Sequence, residues 1–236
     1  MVKKNIKNWD NKTWLSSKNY INSFNNFLIK NFKINSRFKI LDIGCGRGKI
    51  LGSLSSKLKL KEKPLGIDIV NHKDKDKRIN FKRTNVLELS LKKNEKFDLI
   101  LIKQTIHLMK FNEIKKLLKS LKKNLNSNGR ILIFTLDTEK NEIPTFKLMK
   151  QKLNQSFQRD KKILRMIKNL YPHIIKKSFS FNVKITKKKY LNMIQNRYIS
   201  TLIPLSKKQI SQGTQEIEKR YKSVLRFKDK LICIIL

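Results

Sequence analysis

The spacing of apolar residues predicts one helix followed by alternating short strands and helices. Over residues 9–34 apolar side chains recur three or four positions apart, which is typical of an amphipathic helix. Further helical patterns lie at Lys49–Leu60 and Glu113–Leu125, and Asn126–Gly129 predicts a turn. Short apolar runs predict strands at Lys39–Ile43, Pro64–Ile69, Asn80–Thr84, Phe97–Ile102 and Arg130–Leu136. This alternation predicts an α/β protein whose mostly parallel sheet has helices on both faces.

The last third of the chain changes character and is predicted to be mainly helical. Helical patterns lie at Thr145–Leu170, Lys187–Ile203 and Ser206–Tyr221, and a strand pattern lies at Ser178–Ile185. The closing apolar run, LICIIL, predicts a strand that completes the sheet, because an exposed apolar hexamer would be an aggregation hazard. We therefore expect a single domain over residues 1–236, consisting of a helical cap at 9–34, a core at 38–137, a helical insertion at 144–221 and a final strand at 230–236.

The charge balance raises the question of a nucleic-acid partner. Lys and Arg number 56 against 17 acidic residues, so the formal net charge is +39. Clustered cations gain affinity for phosphates, which leaves such a partner possible. However, lysine is spread along the chain and accompanies abundant Asn and Ile, as in proteins encoded by AT-rich sequences. We therefore favour solvated basic helix faces over a dedicated nucleic-acid surface.

Other sequence features indicate the compartment. No apolar run approaches the roughly 18 to 20 residues of a membrane span. The first fifteen residues, MVKKNIKNWDNKTWL, lack the apolar core of a secretory signal. Cys45 and Cys233 lie far apart and show no metal-ligand spacing. We expect a reduced, cytoplasmic protein without a metal site.

Three glycines at alternate positions, Gly44, Gly46 and Gly48, follow the first predicted strand. They do not match the dinucleotide fingerprint, whose third glycine would fall at Lys49. They do not match the phosphate-binding P-loop either, because Ile50 stands where that motif needs Ser or Thr. Glycines at the carboxyl end of a strand let the backbone approach a ligand closely. The alternative is a tight turn that serves only helix–strand packing.

Two acids lie at the ends of neighbouring predicted strands. Asp42 ends the first strand, and Asp68 ends the second, 68 − 48 = 20 residues after the last glycine of the loop. An ionised carboxylate at the second position can accept both hydroxyls of a ribose. Together with the glycines, these acids indicate a nucleoside-bearing cofactor that need not carry a pyrophosphate. The alternative treats Asp42 as a helix-capping residue and Asp68 as a surface acid.

Four segments, LDIGCGRG, GIDIV, TNVLEL and FDLILIKQTIHLM, follow one another in this order. Together they resemble the class I S-adenosylmethionine-dependent methyltransferases, particularly small-molecule members similar to trans-aconitate methyltransferases. The resemblance covers most of the chain. It implies a Rossmann-like fold with a mostly parallel seven-stranded sheet, an N-terminal helix and a helical lid insertion. It also implies S-adenosyl-L-methionine as cofactor, bound by the core at 38–137, and an enzyme that places an acceptor in line with the leaving sulfur.

The resemblance also implies which residues bind the cofactor. The Gly44–Gly48 loop would pass the methionine part, Asp68 would hold the ribose, and Asn85 with Val86 would contact the adenine. The family usually has Asp at the position of Asn85, so we expect the contact with adenine to be modestly weaker. The alternative is that Asn85 is only a turn residue. Cys45 is expected to be an unreactive packing residue within this site. The full predicted set is Asp42, Gly44, Cys45, Gly46, Asp68, Ile69, Asn85, Val86 and Lys103.

Candidate acceptor residues lie at the end of the fourth motif and outside the motifs. His107, just past the fourth predicted strand, is the best available general base for a hydroxyl or amine acceptor, although a histidine among apolar neighbours is more often a packing residue than a catalyst. Trp14 and Tyr20 are expected either to fold over the cofactor and acceptor or to belong to the core. In the segment RYISTLIPLS, Arg197 can clamp an acceptor carboxylate beside Ser200, unless it is simply a surface arginine.

These observations predict methyl transfer to a small molecule, for which a carboxylate-bearing metabolite is one candidate. Methylation of RNA or another macromolecule is one alternative. Against it, the stretch IKQT after the fourth strand lacks the Asn/Asp-Pro-Pro-aromatic tetrapeptide of many amino-directed nucleic-acid methyltransferases. A protein that binds S-adenosylmethionine without turnover is the other alternative. The acceptor and the oligomeric state stay open at this point.

Overall fold

A computed structural model describes residues 13–89 and 95–236 of the chain. It contains a seven-stranded sheet with the strand order β3-β2-β1-β4-β5-β7-β6. Strands β1 to β5 pair in parallel, and β7 runs antiparallel to β5. The strands are β1 (Ile40–Ile43), β2 (Leu65–Asp68), β3 (Asn80–Arg83), β4 (Phe97–Lys103), β5 (Leu125–Leu136), β6 (Ile175–Thr186) and β7 (Val224–Ile235). The predicted α/β class with a mostly parallel seven-stranded sheet is therefore confirmed.

Six α-helices lie within the described residues. They are α1 (Lys18–Phe32), α2 (Lys49–Leu58), α3 (Phe111–Lys123), α4 (Lys147–Leu170), α5 (Lys187–Gln195) and α6 (Lys207–Arg220). The predicted helical cap at 9–34 is thus represented by a short 3-10 turn at Trp14–Ser16 followed by α1, while residues 9–12 lie outside the described residues. None of the helices in the described part of the chain is long and apolar enough to cross a membrane.

The buried faces of these elements follow from their apolar spacing. All four residues of β1 are buried, as expected for a central strand of a parallel sheet that is covered on both faces. Helix α3 buries Ile114, Leu117, Leu118 and Leu121, which are three or four positions apart. Its remaining surface is exposed and consists largely of lysines, including Lys115 and Lys119. At least on α3, therefore, the lysines form a solvated helix face.

Residue contacts divide the chain into two compact units. Unit 1 contains the chain up to Tyr20 together with Asp137–Lys162 and Ser180–Lys230. Unit 2 contains Ile21–Leu136, Ile163–Phe179 and Leu231–Leu236. Unit 2 therefore holds strands β1 to β5 and all the predicted cofactor residues. Unit 1 holds the predicted acceptor residues other than His107.

The predicted helix at Lys187–Ile203 is wrong in its second half, because α5 ends at Gln195. The Arg197 N–H donates to the Ile194 carbonyl at 2.9 Å, and the Tyr198 N–H donates to the Met193 carbonyl at 3.1 Å. These two bonds form a Schellman motif, which places Arg197 in the left-handed region at φ 53°. Glycine usually occupies that position, so the sequence carried no stop signal there.

Three further elements differ from those predicted. The turn predicted at Asn126–Gly129 lies inside β5, where Phe97 pairs with Leu125 but Leu99 pairs with Arg130, so the extra residues form an irregularity in the strand. The predicted final strand at 230–236 corresponds to the end of β7, which begins earlier, at Val224. β6 likewise extends beyond the predicted strand at both ends.

Candidate functional site

The glycine loop, residues 44–48, turns at the carboxyl end of β1. Gly44, Gly46 and Gly48 all have positive φ, at 72°, 56° and 71°, a region that other residues enter only with strain. The N–H groups of Gly44 and Cys45 both donate to the Ile67 carbonyl of β2, at 2.9 and 3.0 Å. The loop is thereby fixed at the edge of the sheet where ligands bind in open α/β folds.

Close packing adds a second requirement for glycine in this loop. A Cβ on Gly44 would lie 2.2 Å from Thr105 Oγ1, and a Cβ on Gly48 would lie 2.1 Å from Ile79 Cδ1. Either contact is far shorter than a van der Waals distance. Thr105 follows β4 and was not singled out in the sequence, because nothing in the segment IKQT indicates which side chain reaches the glycine loop.

Asp68 stands at the end of β2, beside the glycine loop. Its Oδ2 accepts the N–H of Gly46 at 2.8 Å, and its Oδ1 accepts the N–H of Val70 at 2.8 Å. An ionised carboxylate has about four lone-pair sites, so both oxygens keep acceptor capacity. Asp68 is partly exposed, and the side chain of Ile69 next to it is 46% exposed.

Asp42 and Lys103 project from the same side of the sheet. Asp42 pairs in register with Leu101, and Lys103 lies two residues further along β4, so both side chains project from one face. Asp42 is only 4% exposed. Burial raises the pKa of its carboxyl to about 7, with Lys103 opposing and Asp68 reinforcing the rise. Lys103 Nζ lies 3.2 Å from Gln104 Oε1 and 5.5 Å from the centre of the Phe24 ring.

Asn85 and Val86 follow β3 at the same edge of the sheet. Asn85 caps the 3-10 turn Val86–Glu88, since its Oδ1 accepts the Leu87 N–H at 3.1 Å and its Nδ2 donates to Glu88 Oε1 at 3.1 Å. The amide oxygen has a second lone pair, so the cap does not use up its acceptor capacity. A contact between Asn85 and adenine stays a prediction.

Cys45 and His107 were predicted to have different roles. Cys45 Sγ lies 3.6 Å from the Gly46 carbonyl oxygen and packs over Gly66, and burial raises the pKa of the thiol, which keeps it protonated. His107 is partly exposed in the 3-10 turn Ile106–Leu108, two residues after Thr105. Its role as a general base stays a prediction.

Trp14 and Tyr20 pack inside unit 1. Trp14 Nε1 donates to the buried carboxylate of Asp229 at 3.1 Å, and its ring meets those of Tyr198 and Phe227 with centroids 5.2 Å apart. Tyr20 is 0% exposed, and burial, reinforced by Asp229, raises the pKa of its hydroxyl. These contacts give both aromatic residues a core role. Their contact with an acceptor stays a prediction.

Arg197 and Ser200 lie between α5 and α6, also in unit 1. Arg197 is partly exposed, and its guanidinium donates to the Leu202 carbonyl at 3.2 Å. Ser200 is partly exposed and opens the 3-10 turn Ser200–Leu202. Next to Arg197, the Tyr198 hydroxyl meets the Tyr190 hydroxyl at 2.9 Å, which anchors the segment to α5. Within residues 13–89 and 95–236, no group of three or more His, Cys, Asp or Glu side chains could hold a metal ion.

Comparison with known proteins places the chain in a family. The family model described as a methyltransferase domain matches residues 34–198, which is more than half of the chain. The chain belongs to this methyltransferase family. The predictions of a methyltransferase fold and of an enzyme are thereby confirmed. No curated protein sequence matches this chain.

Solved structures similar to the methyltransferase support the fold. A SAM-dependent methyltransferase from Geobacter sulfurreducens in complex with S-adenosyl-L-homocysteine is 13% identical, with a TM-score of 0.52 over 93% of this chain and 91% of that chain. The plantazolicin methyltransferase BpumL, in complex with a pentazolic desmethylPZN analog and SAH, is 18% identical, with a TM-score of 0.50 over 91% and 82%. Coclaurine N-methyltransferase, bound to N-methylheliamine and SAH, is 10% identical, with a TM-score of 0.52 over 92% and 70%.

Proposed function

We propose that this methyltransferase transfers a methyl group from S-adenosyl-L-methionine to a small molecule that carries a carboxylate. The main support for the cofactor is the Asp68 carboxylate. Two backbone N–H groups hold it beside the glycine loop, whose three glycines have positive φ. Such a carboxylate is oriented before any ligand arrives, so its remaining lone pairs can accept ribose hydroxyls without a reorganisation cost.

The other residues at this edge fit the remaining parts of the cofactor. Asp42 and Lys103 have side chains of opposite charge type, which complement the ammonium and carboxylate of the methionine part. The second lone pair of Asn85 Oδ1 can accept the exocyclic amine of adenine. When bound, S-adenosylmethionine supplies a methyl group already activated by its sulfonium. The protein therefore has to orient the acceptor rather than activate the donor.

For the acceptor we propose Arg197 as the residue that recognises a carboxylate. Only one N–H of its guanidinium is needed for the Leu202 carbonyl, and a guanidinium has five donors in a fork that matches a carboxylate. A carboxylate acceptor is ionised near neutral pH and needs no general base. With a hydroxyl or amine acceptor, His107 would take the proton. This assignment corresponds to the type of substrate that trans-aconitate methyltransferases use.

A macromolecular acceptor such as RNA is the second candidate, favoured by the net charge of +39 and by the lysine face of α3. The two candidates differ in their dependence on salt. Binding driven by many phosphate contacts weakens steeply as salt rises, whereas binding of one carboxylate by Arg197 involves a single ion pair and weakens much less.

Asp68→Ala tests the cofactor half of the proposal. Hydrogen bonds to a charged group contribute roughly 1.5 to 3 kcal/mol each, so we expect S-adenosylmethionine to bind at least about tenfold more weakly, measured by calorimetry. Glu62→Gln is the matched control, because Glu62 is an exposed acid of unit 2 that pairs with Lys39. Equal affinity of the Asp68→Ala variant and the wild type would refute the ribose assignment. A panel of carboxylic acids with labelled cofactor then identifies the acceptor.

A further inference from the structure

Arg47 is the residue between the second and third glycines of the loop, and it is unusual in being a buried arginine. Its side chain is 4% exposed, whereas the side chain of its partner, Asp74, is 54% exposed. Arg47 Nε lies 2.8 Å from both carboxylate oxygens of Asp74. The charge of Arg47 is thus buried in the glycine loop, and its partner comes from the loop that joins β2 to β3.

A second connection joins the same two loops through the backbone. The Asp76 N–H donates to the Arg47 carbonyl at 2.9 Å. The Asp76 carboxylate packs on the first turn of α2, where a Cβ on Gly52 would lie 2.4 Å from Asp76 Cγ. A carboxylate at a helix N-terminus is stabilised by the helix dipole. We name Arg47, Asp74 and Asp76 the loop clasp.

The β2–β3 loop follows directly after Asp68, the residue proposed to hold the ribose, so a restraint on this loop also acts on Asp68. Asp68 joins the two loops at one point, since its carboxylate accepts N–H groups from Gly46 and Val70. The clasp joins them at a second point through Arg47. The bonds from Gly44 and Cys45 to the Ile67 carbonyl fix the start of the glycine loop on β2, and the clasp adds a connection to the β2–β3 loop beyond Asp68.

We propose that Arg47 and Asp74 are positioning residues that hold the β2–β3 loop against the glycine loop and so orient the Asp68 carboxylate for the cofactor. This inference rests on the proposed function, because it concerns the same ribose site. Neither residue touches the cofactor in this scheme. Their effect is on donor affinity and not on the rate of methyl transfer once the donor is bound.

The ionisation of Asp74 agrees with this role. Burial of the carboxyl opposes ionisation, but the hydrogen bond and the charge of Arg47 outweigh it and lower the pKa of Asp74. The clasp is therefore closed at neutral pH. Removing Asp74 would leave a buried guanidinium without this partner, which is far more costly than removing an exposed pair.

The test compares Asp74→Asn, Arg47→Lys and the double variant with the wild type. Asp74→Asn removes the charge at constant size, and Arg47→Lys keeps the charge but loses the planar fork. We expect each single variant to bind S-adenosyl-L-homocysteine about tenfold more weakly, and the double variant to be no weaker than the singles, because both disrupt one interaction. At saturating donor, kcat should stay within about twofold of the wild type. Glu62→Gln is again the control for the lost negative charge.

A second measurement needs no cofactor. Amide hydrogen exchange at Gly46 and Val70 reports whether their bonds to Asp68 are held, and we expect faster exchange at both in Asp74→Asn but not in Glu62→Gln. Wild-type affinity in both single variants, or a fall in kcat with unchanged affinity, would refute the positioning role alone. Failure of the wild type to bind S-adenosyl-L-homocysteine at all would refute the proposed function and this inference together.

Discussion

Replacing Asp42 by Asn should stabilise the cofactor-free protein at alkaline pH. Asp42 is 4% exposed at the end of β1, and burial raises the pKa of its carboxyl from 3.8 to about 7. Ionisation of this carboxyl is therefore unfavourable in the folded state and easy in the unfolded chain. Asn keeps the shape of the side chain but cannot ionise, so the substitution removes that penalty.

The size and sign of the effect follow from the shift in pKa. The rise in pKa from 3.8 to about 7 corresponds to a loss of about 4 kcal/mol in the free energy of unfolding once the carboxyl is fully ionised. Because the folded pKa is the higher one, the folded state binds more protons between pH 3.8 and 7, and the free energy of unfolding falls as pH rises through this window. The Asp42→Asn variant does not lose stability in this way, because its side chain cannot ionise. Between pH 4.5 and 8 its stability relative to the wild type should therefore rise by about 3 kcal/mol.

Urea unfolding at pH 4.5 and pH 8 measures this difference directly. The exposed acid Glu62 supplies the control, because Glu62→Gln changes the net charge equally without removing a buried carboxyl. A difference between Asp42→Asn and wild type that does not change with pH, or that matches Glu62→Gln, would show that the Asp42 carboxyl is hydrated or fully compensated by Lys103.

Three further predictions concern other sites. Gly44→Ala should lower stability by about 1 to 3 kcal/mol in thermal unfolding, because φ is 72° and the new Cβ would meet Thr105, and Gly44→Ala combined with Thr105→Ala should recover part of the loss. Asp160→Asn should raise the free energy of unfolding by about 2 to 3 kcal/mol above pH 6 but not below pH 4. The reason is that burial raises the pKa of the Asp160 carboxyl from 3.8 to about 6, so that its ionisation destabilises the folded state as pH rises between these values. An equal gain in urea unfolding at both pH values would contradict this prediction. Arg197→Lys should lower kcat/KM for a carboxylate acceptor by well over about tenfold while cofactor affinity stays unchanged. Arg197→Gly should lose the same activity but gain about 1 kcal/mol of stability, because glycine adopts the backbone angle φ 53° at this position without strain. Full turnover in either variant would refute the role of Arg197 as a carboxylate clamp.

The parallel half of the sheet could be predicted from the sequence because its signals are local. Strands β1 and β2 are short and largely apolar, Asp42 lies one residue before the end of β1, and Asp68 ends β2. Both the strands and the edge they share therefore follow from neighbouring residues. The structure brings the glycine loop and Asp68 within hydrogen-bond distance, at the carboxyl edge of the sheet where the sequence predicts both.

The missed features depend on residues distant in the chain or on rare backbone states. The early part of β7 was not predicted, because its inward positions include Asp229, whose polar side chain interrupts the apolar alternation and pairs with Trp14 across 215 positions of sequence. The end of α5 was missed because Arg197 occupies a left-handed position where glycine would have been the signal. The loop clasp joins Arg47 to Asp74, 27 residues away, and no local pattern marks such a pair.

The division of the chain into two interleaved units limits how this enzyme can diversify. The chain passes from one unit to the other after Tyr20, Leu136, Lys162, Phe179 and Lys230. Four of these five points lie inside α1, α4, β6 and β7. Exchanging unit 1 between relatives would therefore require three separate segments to be replaced together, with most junctions cutting a helix or a strand. We expect acceptor preference in such proteins to change by point substitution within unit 1, and not by recombination of whole modules.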